Sequence, residues 1–208
     1  MTARTVISSS AIAALAGVIL IAGESELKKS DESEFLSSTR QLTFAGKRSG
    51  EGYFSSDGSK MIFQSEREAG NPFYQIYLMD LETGDTNRVS PGFGKTTCAW
   101  IHPGGERVLF ASSHSDPKAK EKQSLEIEER KTRRIRKYSW DYDENYEIWQ
   151  TSLDGSKPIN LTNSLGYDAE GSYSPDGKWI AFASNRQAYN EPLNEEQKER
   201  LEIDKSYF

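Results

Sequence analysis

The chain carries one short unit three times. Tyr53-Phe-Ser-Ser-Asp-Gly-Ser-Lys-Met-Ile-Phe-Gln-Ser65, Trp100-Ile-His-Pro-Gly-Gly-Glu-Arg-Val-Leu-Phe-Ala-Ser112 and Ser172-Tyr-Ser-Pro-Asp-Gly-Lys-Trp-Ile-Ala-Phe-Ala-Ser184 align on their turn glycines, Gly58, Gly105 and Gly177. The same alignment brings Phe63, Phe110 and Phe182 into register. Each copy is a turn signal followed at once by an apolar run of strand length. In the third, Pro presets φ, Asp bonds nearby backbone and Gly accepts positive φ. The unit reads as a β-hairpin, with Trp179 to Ala183 as a buried strand. Repetition of this kind constrains architecture more tightly than any single motif.

Other pieces recur around the hairpins. Gln75–Asp80 and Tyr146–Thr151 read as third strands, followed by turn signals at Glu82–Gly84 and Asp154–Gly155. Arg40–Thr43, Arg88–Ser90 and Pro158–Thr162 read as short strand-like pieces, each preceding a Gly-containing loop and a hairpin. Four short strands joined by tight turns are the content of one β-propeller blade. The expected fold class is therefore all-β, with four-stranded antiparallel blades, incomplete at about two and a half. Arg40–Thr43 reads as an outer strand that completes the last blade of a ring. Closure needs at least about four blades, so the chain reads as the N-terminal portion of a longer protein.

The motifs resemble a known repeat. Tyr173-Ser-Pro-Asp-Gly-Lys178 with Ser184-Asn-Arg186, and Phe54-Ser-Ser-Asp-Gly58 with Ser65-Glu-Arg67 and Ile76-Tyr-Leu-Met-Asp80, look like the propeller repeats of the TolB family. The second copy departs, with Gly104 in place of Asp and His114 in place of Arg. The resemblance covers Arg40 to the end. It implies a periplasmic, non-enzymatic scaffold that binds proteins or peptides. The same repeats occur as propeller modules attached to peptidases, which keeps a second function open: a regulatory propeller whose catalytic domain lies beyond residue 208. Fold alone does not decide between them.

The turn glycines are 47 residues apart and then 72, so the second repeat holds an insertion, placed at 113–145 between its second and third strands. Within it, Lys118–Lys137 has nine Lys/Arg against four Glu, including Arg130, Arg133 and Arg134. The third repeat has an equivalent insertion at 187–205. There Glu191–Asp204 has six acidic residues, among them Glu195, Glu196 and Glu199, against two basic ones. Pro192 suits the first turn of a helix, with Asn190 as its cap. Both insertions leave the same face of neighbouring blades with opposite charge, which suggests a paired lid over the channel mouth; solvated loops are the alternative.

Counting back from the turns makes Glu51 and Glu170 equivalent, with Cys98 as their counterpart, and Asp168 two residues before Glu170. Carboxylates Glu51, Asp168 and Glu170 converging at a channel mouth suit a cation, or a basic or amino-terminal group of a peptide; hydrogen bonding to loop amides is the other use. Cys98 is the single cysteine, which excludes an internal disulfide and a thiolate metal cluster, and it reads as a small buried apolar residue. His102 takes the Ser position of the turn motif and reads as a turn cap, and with His114 it shares no metal-ligand spacing. No nucleophile elbow, His-Glu-x-x-His or phosphate loop is present. Nothing in the sequence points to a catalytic residue, a metal or a cofactor.

A net charge of −6 argues against nucleic acid as a partner, as does the lack of aromatics within Arg130–Lys137. Arg4 and the apolar run after it mark 1–23 as a signal peptide or a retained anchor, followed by a polar tether at 24–38 and the partial propeller at 39–208. Glu24 stands where a lipoprotein would need Cys, so lipidation is excluded. The expected location is periplasmic or otherwise outside the cytoplasm, with membrane contact through residues 5–23 alone.

Overall fold

A computed structural model describes residues 32–132 and 141–206. The chain divides into two units, residues 1–40 and 41–208. In the first, Glu32–Glu34 form a single 3-10 turn; the signal or anchor segment and the start of the tether lie outside the described residues. Among the described residues no helix is long and apolar enough to cross a membrane.

The second unit is a row of meanders. Strands β1 (Arg48–Phe54), β2 (Lys60–Glu66), β3 (Gln75–Asp80) and β4 (Thr86–Arg88) form one antiparallel sheet in chain order. A second sheet repeats the order with β5 (Thr96–Ile101), β6 (Arg107–Ser112), β7 (Glu147–Ser152) and β8 (Ile159–Asn160). A third holds β9 (Asp168–Tyr173) and β10 (Ile180–Ser184). These are two propeller blades and the inner half of a third, so the all-β expectation stands.

The hairpin turns close by local chemistry. In blade 1 the Ser55 hydroxyl donates to Asp57 and accepts from the Lys60 amide, while Asp57 accepts from the Ser59 amide. Blade 3 repeats the contacts with Ser174, Asp176, Lys178 and Trp179. Those donors hold Asp57 down at about 2. Blade 2 lacks the Asp, and His102 does cap the turn: its Nδ1 accepts from the Gly104 amide at 3.0 Å. Gly58, Gly105 and Gly177 all take φ between 71° and 77°, as such a turn requires.

Alternation along each second strand gives a blade two apolar faces. Ile62, Ile76 and Leu78 of blade 1 meet Ala99, Ile101, Val108 and Phe110 of blade 2. Leu109, Ala111 and Ile148 on the other side of blade 2 meet Tyr167, Ala169 and Tyr173 of blade 3. Burying a Leu or Ile so completely contributes about 2 kcal/mol per side chain, which is what stacks the blades. The next face in the series does not continue: Trp179 is 75% exposed, and Ala181 and Ala183 are exposed too. The buried strand expected at Trp179–Ala183 is a strand but not a buried one, because no neighbouring sheet covers it among the described residues.

Three further expectations are corrected. Arg40–Thr43 forms no strand; Leu42 instead packs against Met61, Phe63, Tyr77 and Met79 on the outer side of blade 1. The basic insertion carries a helix, α1 (Ala119–Lys131), where the charge run suggested a loop. The acidic insertion holds α2 (Gln187–Asn190) and α3 (Glu195–Ile203), and the cap of α3 is Asn194, not Asn190. Asn194 has extended backbone and exchanges hydrogen bonds with Gln197 in a capping box, whereas Asn190 is already the last residue of α2 and Pro192 lies between the helices.

Candidate functional site

Each inner strand is interrupted at one place. In β1 the pairing with β2 skips between Gly50 and Tyr53, so Glu51 and Gly52 oppose Phe63 alone. In β5 the skip sets Cys98 and Ala99 opposite Phe110, and in β9 it sets Glu170 and Gly171 opposite Phe182. The repeated Phe thus marks a repeated β-bulge. The first bulge residue is left-handed every time: φ is 50° at Glu51, 47° at Cys98 and 59° at Glu170. Non-glycine residues pay roughly 1 kcal/mol or more for that conformation, and such strain concentrates at functional sites. The second bulge residue is small because space is short: a Cβ on Gly171 would sit 2.8 Å from Leu109 Cδ2.

The bulges line one groove. Glu51, Tyr53, Cys98, Trp100, Glu170 and Ser172 border a cavity of about 440 Å³, drawing on all three blades. Tyr53 donates to Glu51 Oε2 at 3.0 Å, and its ring packs on Trp100 with centroids 4.4 Å apart. Gln64 Oε1 accepts from the Thr97 hydroxyl and the Cys98 amide, tying blade 1 to the bulge of blade 2. Burial first, and then the charges of Glu51 and Glu170, push the Cys98 thiol above its ordinary value. The groove wall therefore offers two exposed carboxylates beside an aromatic pair. That combination suits an ammonium or guanidinium group.

Among the sequence candidates, Glu51 and Glu170 meet in this groove. Cys98 lies between them, half-buried rather than wholly buried, because the bulge turns it towards the groove. Asp168 does not join them: it is fully buried and bound to Arg186, Nη2 to Oδ2 at 2.8 Å. Tyr53 and Trp100 were missed as site residues, although they hold the same place five residues before Gly58 and Gly105 and could have been found from that register.

Among the described residues of the charged lid, Arg130, Glu195 and Glu196 have partners within their own helices or in blade 1. Arg130 donates from Nη1 to Glu66 at 2.8 Å and from Nη2 to the Pro72 carbonyl at 2.7 Å, both in blade 1, and from Nε to Glu126. Glu195 pairs with Lys198 at 2.7 Å and Glu196 with Arg200, within α3. Arg133 and Arg134 lie outside the described residues, and Glu199 is on α3. Gln123 donates to the Gly70 carbonyl at 2.6 Å, and Lys122 grips Asp143 through both oxygens and Asp116 at 2.7 Å. Helix α1 thus straps blade 2 to blade 1. Among the described residues no group of three or more potential metal ligands occurs.

No family model matches the chain. It is 24% identical to a protein of Bacillus subtilis named as an uncharacterized peptidase, YuxL, over 69% of this chain and 23% of that protein. Among solved structures it is similar to a TolB from Agrobacterium tumefaciens, with 22% identity and a TM-score of 0.48, covering 69% of this chain and 40% of that one. A TolB from Acinetobacter baumannii gives 24% identity and a TM-score of 0.44, covering 64% and 26%. The chain thus spans about a quarter of the length of its curated relative and well under half of these solved chains. In its repeats and in the topology of its sheets the chain is a β-propeller chain.

Proposed function

We propose that this propeller is a non-enzymatic binding scaffold whose inner groove takes the amino terminus or a basic side chain of a protein or peptide. One observation carries the reading: three strained bulges, far apart in sequence, bring Glu51 and Glu170 to a single groove beside Tyr53 and Trp100. Carboxylates held in fixed backbone geometry attract a cation without first reorganising, and an aromatic pair adds about 0.5–1 kcal/mol for a cation over an exposed ring. The likeness to TolB propellers supports a protein partner and a place outside the cytoplasm, with residues 5–23 as signal or anchor. Calorimetric titration tests the binding. A lysine-rich peptide with a free amino terminus should bind at least about tenfold more tightly than an acidic one, a difference of 1.4 kcal/mol. Glu51→Gln with Glu170→Gln should remove that preference, and equal binding of the two peptides contradicts the reading.

The peptidase-named relative favours a second reading, in which the propeller regulates access to a hydrolase domain. Peptide hydrolysis by the protein expressed from its native gene supports that one. Binding without hydrolysis supports the first.

A further inference from the structure

The three repeats share an equivalent pair of positions, nine residues before the turn glycine and nine after it. In blade 3 the pair is Asp168 and Arg186, joined by two hydrogen bonds, with the guanidinium 5.0 Å from the Phe182 ring. In blade 2 it is Thr96 and His114. Burial lowers His114 to about 4, so that pair is neutral. In blade 1 it is Ser49 and Arg67. Arg67 keeps the rest of the arrangement: its Nε donates to Ser65 at 3.0 Å, as Arg186 does to Ser184, and its guanidinium lies 5.2 Å from the Phe63 ring and 4.6 Å from that of Tyr77. What it lacks is the carboxylate. Its Nη2 is buried and has no hydrogen-bond partner among the described residues.

The neighbouring carboxylates make their hydrogen bonds elsewhere, although Glu68 lies near enough for the Arg67 charge to help hold it below its usual range. Glu66 is held by Lys47, Arg48 and Arg130, and Glu68 by Tyr77 and Arg88. Arg67 borders a cavity of about 520 Å³ between blade 1 and α1, which Lys47, Asn71, Ile127, Arg130 and Lys131 also line. Four cationic side chains face it against Glu66 and Glu68, and Ile127 and Pro72 add apolar wall.

We propose that this cavity is a carboxylate-binding site, in which a ligand's carboxylate supplies to Arg67 what Asp168 supplies to Arg186. The recognition is that of a guanidinium for a carboxylate, with Lys47 and Lys131 at the rim attracting the anion. The cavity has room for the terminal residue of a polypeptide as well as for a small free acid, and the two sources share this chemistry. The site is separate from the inner groove and does not depend on what that groove binds.

The test is nuclear magnetic resonance titration of the whole chain, following the Arg67 Nε–H signal. Acetate is one probe, and acetyl-Ala-Ala with a free carboxyl group is the other, with its amide as control. Acetate and the free acid should both saturate, and Ser49→Asp should weaken them by about tenfold or more, because the new side chain occupies the guanidinium from within. Arg67→Gln, followed through the backbone amide signals of Gly70 and Asn71 on the cavity wall, should do the same and serves as the second variant. A free acid that binds more tightly than acetate, with no binding of the amide, identifies a polypeptide carboxyl end; equal binding of the free acid and acetate identifies a small anion. No saturable change at Arg67 with either probe overturns the proposal, and so does binding that Ser49→Asp leaves unaltered.

Discussion

Arg186 holds Asp168 through both carboxylate oxygens, Nη2 to Oδ2 at 2.8 Å and Nε to Oδ1 at 3.2 Å, and Asp168 is wholly out of solvent. The link closes the two ends of the third hairpin on each other. Asp168→Ala leaves Arg186 facing a buried gap and should destabilise the chain by about 3 kcal/mol, the lower end for a broken buried pair, since Arg186 is partly exposed. Urea unfolding of the variant measures this. A loss below about 0.5 kcal/mol would mean that the pair is incidental.

His114 gives the stability a pH dependence. Burial beside Trp149, with ring centroids 4.2 Å apart, holds it neutral and lowers it from 6.5 to about 4. The unfolded chain takes up its proton near pH 6.5, while the folded chain resists until about pH 4. The stabilisation is therefore whole above pH 6.5 and is lost as the pH falls from there to about 4. His114→Gln should flatten that part of a stability-against-pH curve, and an unchanged slope would rule His114 out as its source.

Helix α1 is fastened through Glu66. Burial alone would raise this carboxyl, but Arg130, Lys47 and Arg48 outweigh it and hold it below the usual range. Glu66→Gln removes the shared anchor. Because those three partners reach solvent, the cost should be about 1–2 kcal/mol rather than that of a fully enclosed pair. The effect should concentrate on α1: trypsin should cut at Lys122 to Lys131 several times faster in the variant, a ratio that follows the opening free energy. Equal cleavage rates would place the fastening elsewhere, for example on Lys122 and Asp143.

What could be read in the sequence was local. Ser, Asp and Gly in a turn make their bonds within five residues, so the hairpins around Gly58, Gly105 and Gly177 were legible before any fold was known. The register of the repeats also made Glu51, Cys98 and Glu170 equivalent, although nothing in the residue types announced the left-handed bulge. Asp168 was misplaced because two residues along a strand return to the same face only if no bulge intervenes, and one does at Glu170. The helix in the basic insertion was hidden by its composition: Ala119 is its one buried residue, so it shows no apolar stripe, and it is held by Lys122, Gln123 and Arg130 instead. Asn190 and Asn194 are equally good caps by type, and the chain direction after Pro192 decided between them. The exposure of Trp179 followed from the absence of a covering sheet among the described residues, which no local pattern encodes.

Residues 51, 98 and 170 share the inner groove. Cys98 is the single cysteine, so its reaction with a thiol reagent reports on that groove without interference. Rates followed across pH give its midpoint in the native chain and in Glu51→Gln with Glu170→Gln. If the two carboxylates stand beside the thiol, removing their charges lowers the midpoint and speeds the reaction at neutral pH. An identical midpoint in both proteins would mean that the three bulges do not share a groove.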